Sequence, residues 1–385
     1  MLRKKALLLN AAKYKKLKLF VFCFITIFST ACAAQMPYSA KSHHTKNGFR
    51  NLNVSERHGF LDFLKWRWQR RWKKRPDAGT YHFPLANNDP AFLKSNINKT
   101  TLTWIGHATL LLQLEGKNIL TDPLFSQRAA PVQWAGPRRV VAPGLSLKNL
   151  PPIDIVVISH DHYDALDKQS IVRLHQKSGG ANTIFYVPLG LKNWFTRLGI
   201  SSVVELDWWE QRQEKNLRIT AVPVQHWSKR SLFSRNKTLW AGWIIQSDTF
   251  RFFFCGDSGY TALFKEIGAK LGPFDLSALP IGAYEPRWFM RRHHITPEEA
   301  LQVHLDLQSK KSVGIHWGTL MLTDEPLDEP PRRLKNALKE KGNPIIDFTV
   351  LQHGETLLTL EGNNYRAGDH QQCAEKSNDN VLFFK

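Results

Sequence analysis

An α/β layered domain is the architecture the sequence predicts. Three observations point to it: short apolar, β-branched runs recur along the chain, helical patterns are interspersed among them, and no segment repeats. The domain is expected over residues 59–362. With 385 residues, 42% of them hydrophobic, the chain can bury a substantial core, which argues against a disordered or fibrous class.

Residues 101–105 and 108–114 are β-branched or apolar runs, and Glu115-Gly116-Lys117-Asn118 is a turn before a further strand at 119–121. Residues 153–158 are apolar apart from Asp154, as in a strand covered on both faces. More strands are expected at 183–187, 217–224, 239–246, 250–255, 278–281 and 312–315, with helices at 168–177, 192–198, 261–271 and 297–307. The last helix has a full start signal: Thr296 as cap, Pro297 in first position and Glu299 three residues after the cap. Beyond Gly362 the sequence turns polar, and residues 363–385 are expected to be a tail.

The first eighteen residues hold seven basic side chains, and an apolar run at 19–28 and the stretch Ser29-Thr30-Ala31-Cys32-Ala33-Ala34 follow. This is the pattern of a secretory signal, and the run is short for a transmembrane helix. Residues 1–34 are therefore expected to be a signal peptide or membrane anchor, with cleavage after Ala33 or lipidation of Cys32 as alternatives. Each places the body outside the cytoplasm, periplasmic or membrane-associated. Without those seven residues the formal charge of +20 becomes +13, so the body is basic in its own right. Of the four cysteines only Cys255 and Cys373 lie in the body, which predicts no disulfide framework.

Residues 35–58 lack periodicity and read as a linker. Between Lys65 and Arg75 there are seven basic residues and three tryptophans. Leu61, Leu64, Trp68 and Trp72 recur at three- and four-residue spacing, which places them on one helical face. Such a face can lie on a membrane, with rings at the headgroup level and cations on anionic lipid, or it can pack its stripe on the domain.

The chemistry concentrates in Ile158-Ser159-His160-Asp161-His162-Tyr163-Asp164-Ala165-Leu166-Asp167. A lone histidine is usually structural. Here His160, His162 and Asp164 follow a buried strand on a loop, where side chains two apart can converge on one cation through the nitrogen and carboxylate donors that zinc accepts. His226, Asp257 and His316 also follow apolar strands, and strand ends at one sheet edge can gather ligands from distant sequence.

In this order and spread, His-x-His-x-Asp followed by His, Asp and His resembles the metallo-β-lactamase superfamily. Several longer strings are similar to its N-acyl-phosphatidylethanolamine phospholipase D group: Thr103-Trp104-Ile105-Gly106-His107-Ala108-Thr109, Thr121-Asp122-Pro123, Val224-Gln225-His226-Trp227, Phe254-Cys255-Gly256-Asp257-Ser258-Gly259-Tyr260, Leu279-Pro280-Ile281-Gly282-Ala283-Tyr284-Glu285-Pro286 and Ile315-His316-Trp317-Gly318-Thr319. The resemblance implies an αββα sandwich, two β-sheets face to face with helices outside and a metal site at one edge. It implies one or two zinc ions, with His160, His162 and His226 on the first, Asp257 bridging, and Asp164 with His316 on the second. His294, rather than His293, matches a histidine beside the scissile phosphate and joins Asp257 as a catalytic candidate. His107 and Asp122 would support the site from behind, or serve the fold alone.

Where the family pattern has His-x-His-x-Asp-His, the last position here is Ala165. Alanine offers no donor, so the second ion would keep Asp164, Asp257 and His316 from the protein, with a water, a weakened site or a single-ion site as the result. The activity implied is hydrolysis of a phospholipid phosphodiester, with phospholipid and membrane surface as partners. The export signal argues against nucleic acid. The alternatives are a hydrolase of the same fold acting on another ester, lactone or cyclic phosphodiester, and a non-catalytic envelope protein that binds lipid or metal.

Overall fold

The computed structural model describes residues 41–52, 59–73 and 78–359. The expected signal, Cys32 and the expected polar tail lie outside the described residues. The chain divides at Asn47, and the body begins at Gly48.

The apolar runs become strands covered on both faces, and their alternation builds the layers. In the strand Ile184–Pro188, Phe185 and Val187 join Ile171, Leu174 and Phe195 of the flanking helices Lys168–Gln176 and Lys192–Thr196 in one buried cluster. Tyr186 points the other way, toward Trp243 of the opposite sheet, with ring centroids 6.4 Å apart. In Arg251–Phe254, Phe253 meets Phe264 of helix Leu263–Leu271 on the outer side of the second sheet. Helix, sheet, sheet, helix is the resulting order, the predicted αββα sandwich.

Fourteen strands of the body fall into two sheets of seven. In chain order they are β1 Thr101–Gly106, β2 Thr109–Leu114, β3 Lys117–Thr121, β4 Ile155–Val157, β5 Ile184–Pro188, β6 Val203–Leu206 and β7 Gln211–Glu214, then β8 Leu217–Val222, β9 Gly242–Gln246, β10 Arg251–Phe254, β11 Phe274–Pro280, β12 Ser309–Ile315, β13 Asp347–Val350 and β14 Thr356–Leu358. The first sheet runs β14-β1-β2-β3-β4-β5-β6 and the second β13-β12-β11-β10-β9-β8-β7. Each is antiparallel on one side and parallel on the other, the change falling at β3–β4 and at β10–β11.

That parallel register positions the site. Thr121 pairs with Val157, so Asp122 and the residues after Ile158 leave the first sheet side by side. In the second sheet Pro280 pairs with Ile315, and β10 and β12 deliver Asp257 and His316 just beyond their carboxyl ends, the edge at which open parallel sheets collect ligands.

Helix Pro297–Asp306 begins with the predicted reciprocal cap: Glu299 N donates to Thr296 Oγ at 3.2 Å and Thr296 N to the Glu299 carboxylate at 2.9 Å. Other elements carry too little apolar pattern to stand out in sequence. Helix Glu329–Lys341 buries Leu334 and Ala337 within a charged run, and strand Gln211–Glu214 is an exposed edge. The expected linker is packed at its end: Phe49 is buried, and Asn51 Nδ2 donates to the carbonyl of His226 at 2.8 Å.

Helix Phe60–Trp72 settles which face of the Trp-rich segment packs. Trp66 is buried and stacks on Phe289 at 5.3 Å, and Arg70 donates to the carbonyls of Leu322 and Thr323. Arg70 and Lys73 both pair with the buried Asp324, at 3.3 and 3.1 Å. The stripe faces solvent instead, with Leu61 79%, Leu64 45%, Trp68 62% and Trp72 76% exposed. Among the described residues no helix is long and apolar enough to cross a membrane.

Gly256, between β10 and Asp257, adopts φ +61°, and a Cβ there would lie 2.5 Å from Cβ of Ser159. Gly256→Ala should therefore destabilise the protein by about 1–3 kcal/mol, read as a lowered chemical denaturation midpoint. An unchanged midpoint would show that the two sheet ends are not in close contact.

Candidate metal centre

Loops at the strand ends bring six side chains from four parts of the sequence together. His160, His162 and Asp164 come from the loop after β4, His226 from the segment after β8, Asp257 from the turn after β10 and His316 from the end of β12. Donor atoms lie within 4.8 Å of one another in three groups: His160, His162 and His226; His107, Asp164 and His316; and His226, Asp257 and His294. Asp257 stands between the first two, with Oδ2 3.7 and 3.8 Å from Nε2 of His160 and His226, and Oδ1 3.1 Å from His316 Nε2. His226 Nε2 is 3.2 Å from His162 Nδ1.

His160 Nε2 and both ring nitrogens of His316 are buried without a hydrogen bond, although carboxylate oxygens are near. Ring nitrogens buried without a hydrogen bond beside carboxylate oxygens fit a cation that would take one lone pair from each ring. The set of imidazoles and carboxylates suits zinc and related divalent metals.

The surroundings fix each ring. Ser159 Oγ bridges Asp122 Oδ2 at 2.5 Å and His160 Nδ1 at 2.8 Å, while Ser159 N donates to Asp122 Oδ1 at 2.7 Å. This leaves His160 Nε2 to face the centre, the orienting arrangement common behind metal-bound histidines. His226 Nδ1 is held by the carbonyl of His293 at 3.0 Å, and the His162 ring rests edge-on against Trp227. The carbonyl of His107 accepts from His316 N and from Trp104 Nε1. His294 overlooks both halves, its ring 5.4 Å from that of His226 and 5.5 Å from that of His316.

His107, Asp122, Ala283 and His316 all have positive φ, from +33° to +65°. This backbone is costly for residues with a side chain, and such residues cluster where surrounding structure enforces them for function. Sequence alone gave no signal for Ser159, Trp227, Asn51 or the His293 carbonyl. Their contributions depend on a backbone atom, a neighbour's ring or a chain crossing seen only in the fold.

Burial lowers the pKa of His160 to about 3 and those of His107 and His294 to about 4, so these rings stay neutral and able to donate. His316 goes the other way. Burial disfavours its charge, but Asp257 and Asp164 outweigh burial and raise it to about 10. Those carboxyls are held well below the usual range despite burial, by His316 and, for Asp164, also by His107.

The family model described as "Beta-lactamase superfamily domain" matches residues 117–317. Over 265 residues the chain is 45% identical to N-acyl-phosphatidylethanolamine-hydrolyzing phospholipase D 1 of Caenorhabditis elegans, covering 66% of this chain and 74% of that protein. It is 37% identical over 240 residues to the mitochondrial N-acyl-phosphatidylethanolamine-hydrolyzing phospholipase D of Saccharomyces cerevisiae, 60% of this chain and 50% of the yeast protein. Among solved structures, isothiocyanate hydrolase from Delia radicum gut bacteria is similar with a TM-score of 0.54 at 20% identity, over 68% of this chain and all (100%) of that one. Igni18, a metallo hydrolase from Ignicoccus hospitalis, has a TM-score of 0.52 at 20% identity, over 68% and 99% of the two chains. At that identity the two structures bear on the fold.

The neutral rings have a consequence for the metal-free protein. A histidine whose folded pKa is depressed stabilises the fold above its unfolded value of about 6.5 and loses that contribution as pH falls toward the folded value. His107, His160 and His294 act in this sense. His316, raised, keeps its full contribution below about 6.5 and loses it as pH climbs toward its folded value near 10. The chelator-treated protein should thus melt at a lower temperature at pH 5 than at pH 7 by calorimetry, and an equal or higher melting temperature at pH 5 would contradict the buried, neutral state of these rings.

Proposed function

Because the chain belongs to the metallo-β-lactamase superfamily, as a metal-dependent hydrolase, we propose that it cleaves the headgroup phosphodiester of N-acyl-phosphatidylethanolamine-like phospholipids, as a phospholipase D. The observation that carries this reading is the way Asp257 turns one oxygen to each half of the centre. Such an arrangement would suit a pair of divalent ions, a pairing used to displace oxygen leaving groups from phosphorus. The 45% identity with a phospholipase D named for this lipid supports the substrate class.

In this reading His160, His162 and His226 would hold one divalent ion such as zinc, Asp164 and His316 would help hold a second, and Asp257 lies within reach of both groups. When bound, such ions would supply Lewis acidity at the phosphoryl oxygens and acidify a water. Asp257, a carboxylate at neutral pH, accepts the proton of the attacking water. The water oxygen bonds to phosphorus as the bond from phosphorus to the headgroup oxygen breaks. That oxygen leaves as the hydroxyl of an N-acylethanolamine, and phosphatidic acid remains. His294, half-buried and with its ring near those of both His226 and His316, would steady the phosphoryl charge or carry the proton to the leaving oxygen.

The substrate lies in a bilayer, and the surface of the protein suits one. The exposed stripe of Leu61, Leu64, Trp68 and Trp72 is interleaved with Lys65, Arg67 and Arg71. On the loop that follows His226, Leu232 and Phe233 are each 81% exposed, with Lys229, Arg230, Arg235 and Lys237 on either side. That loop is stiffened from within: Arg230 donates to the carbonyls of Asp161 and Leu166, and Ser234 Oγ accepts from the amides of Arg230 and Ser231. At an anionic leaflet either feature would set apolar side chains at the headgroups with cations beside them.

Purified protein with added zinc should release N-acylethanolamine and phosphatidic acid from vesicles containing N-acyl-phosphatidylethanolamine, and Asp257→Asn should lower the rate by at least about a hundredfold. Turnover confined to small soluble esters would replace the lipid reading with another hydrolase of the same fold. For the surface, Trp68→Ala with Trp72→Ala should weaken binding to vesicles rich in anionic lipid while leaving hydrolysis of detergent-dispersed lipid unchanged. Equal vesicle sedimentation of wild type and variant would remove the stripe from the account.

A further inference from the structure

Ala165, at the position where the family pattern has a histidine, is buried and brings no donor. Another imidazole already stands at that half of the centre. We propose that His107, on the turn between β1 and β2, ligates the second ion through Nε2 together with Asp164, His316 and Asp257, and so takes the place left open by Ala165.

Spacing supports the assignment. Two donors about 2.0–2.1 Å from one tetrahedral ion lie about 3.3–3.4 Å from each other. His107 Nε2 is 3.1 Å from Asp164 Oδ2, His316 Nε2 is 3.6 Å from the same oxygen, and His316 Nε2 is 3.1 Å from Asp257 Oδ1. Three of the six edges of the four-donor figure are therefore close to the length that a single ion requires, and His107, Asp164 and His316 form one group of mutually near donors. The His107 and His316 rings are 4.0 Å apart by centroid, tilted by 40° rather than stacked flat.

The turn holds His107 in place for this. Its φ is +56°, and that of His316 is +65°. The strained pair is locked by the bond from His316 N to the His107 carbonyl, by Trp104 Nε1 on the same oxygen, and by His107 N donating to Thr319 Oγ1 at 2.7 Å. His294 is the other histidine near enough to be considered, but its donor groups with His226 and Asp257, on the side of the first ion. A His107 that merely hydrogen-bonded Asp164 would also weaken the second ion when lost, so the count of metal-bound imidazoles separates the two roles. A ligand is expected to carry the paramagnetic shift of a bound ring, and a supporting residue is not.

The inference rests on the two-ion reading above but is tested without the lipid reaction. The protein is loaded with zinc, dialysed against a weak chelator, and its metal content per chain measured. Two ions are expected for the wild type, one for His107→Gln, with second-ion affinity lowered by more than about tenfold, and two again for His107→Gln combined with Ala165→His. A wild type that holds one ion, or a His107→Gln variant that keeps two, would overturn the assignment. The wild type loaded with cobalt then decides between ligand and support, and it does so even if the variant fails to fold. Five strongly shifted imidazole N–H signals, from His107, His160, His162, His226 and His316, are expected by proton NMR, and four would overturn it. An inactive protein with two ions and five such signals would remove the phospholipid substrate and leave the ligand assignment standing.

Discussion

Six ionisable side chains that would each prefer water are gathered in a nearly dry space between two sheet ends, and the rest of the structure answers to that concentration. Burying an unpaired charge is prohibitive, whereas buried charges that face opposite charges or neutral donors are tolerated. Accordingly the two carboxylates, Asp164 and Asp257, are interleaved with imidazoles rather than set beside each other. The same need explains the backbone around them. Four residues with side chains adopt positive φ at this edge because the donors must point inward from chains that approach along different strands.

The fold was legible where burial is two-sided. Residues 153–158 and 250–255 are apolar at nearly every position, and both became strands that run into the centre. The capped start of helix Pro297–Asp306 was equally plain, because its signal is chemical rather than periodic. One-sided or marginal elements left little trace: helix Glu329–Lys341 hides two core residues among charges, and Val203–Leu206 is a short edge strand. In the site, residues whose own side chains could bind a metal stood out through their types and spacing. Those that act through a carbonyl, a hydroxyl bridge or a ring face did not. Ser159 is the example, a serine like any other until the register of β3 and β4 sets it between Asp122 and His160.

The two halves of the centre differ in chemistry. One is drawn from three imidazoles, His160, His162 and His226, and the other mixes imidazole with carboxylate oxygen. Nitrogen-rich sites favour zinc and its neighbours, while oxygen donors broaden the choice toward harder cations. If both groups hold an ion, as proposed above, selection would be stricter on the side of His226 than on the side of Asp164, with Asp257 near both.

Helix Phe60–Trp72 is fastened to the body by Trp66 under Phe289 and by Asp324, which receives Arg70 and Lys73 together. Its outward tryptophans and leucines are thus displayed on a scaffold that is already ordered. A free amphipathic segment must surrender its conformational entropy when it meets a partner, and each immobilised side chain costs about 0.5–1.5 kcal/mol more. Here the backbone share of that loss falls on folding rather than on encounter. Whatever covers the stripe meets a surface whose shape is settled beforehand, and contact can be made and broken repeatedly without the helix melting in between.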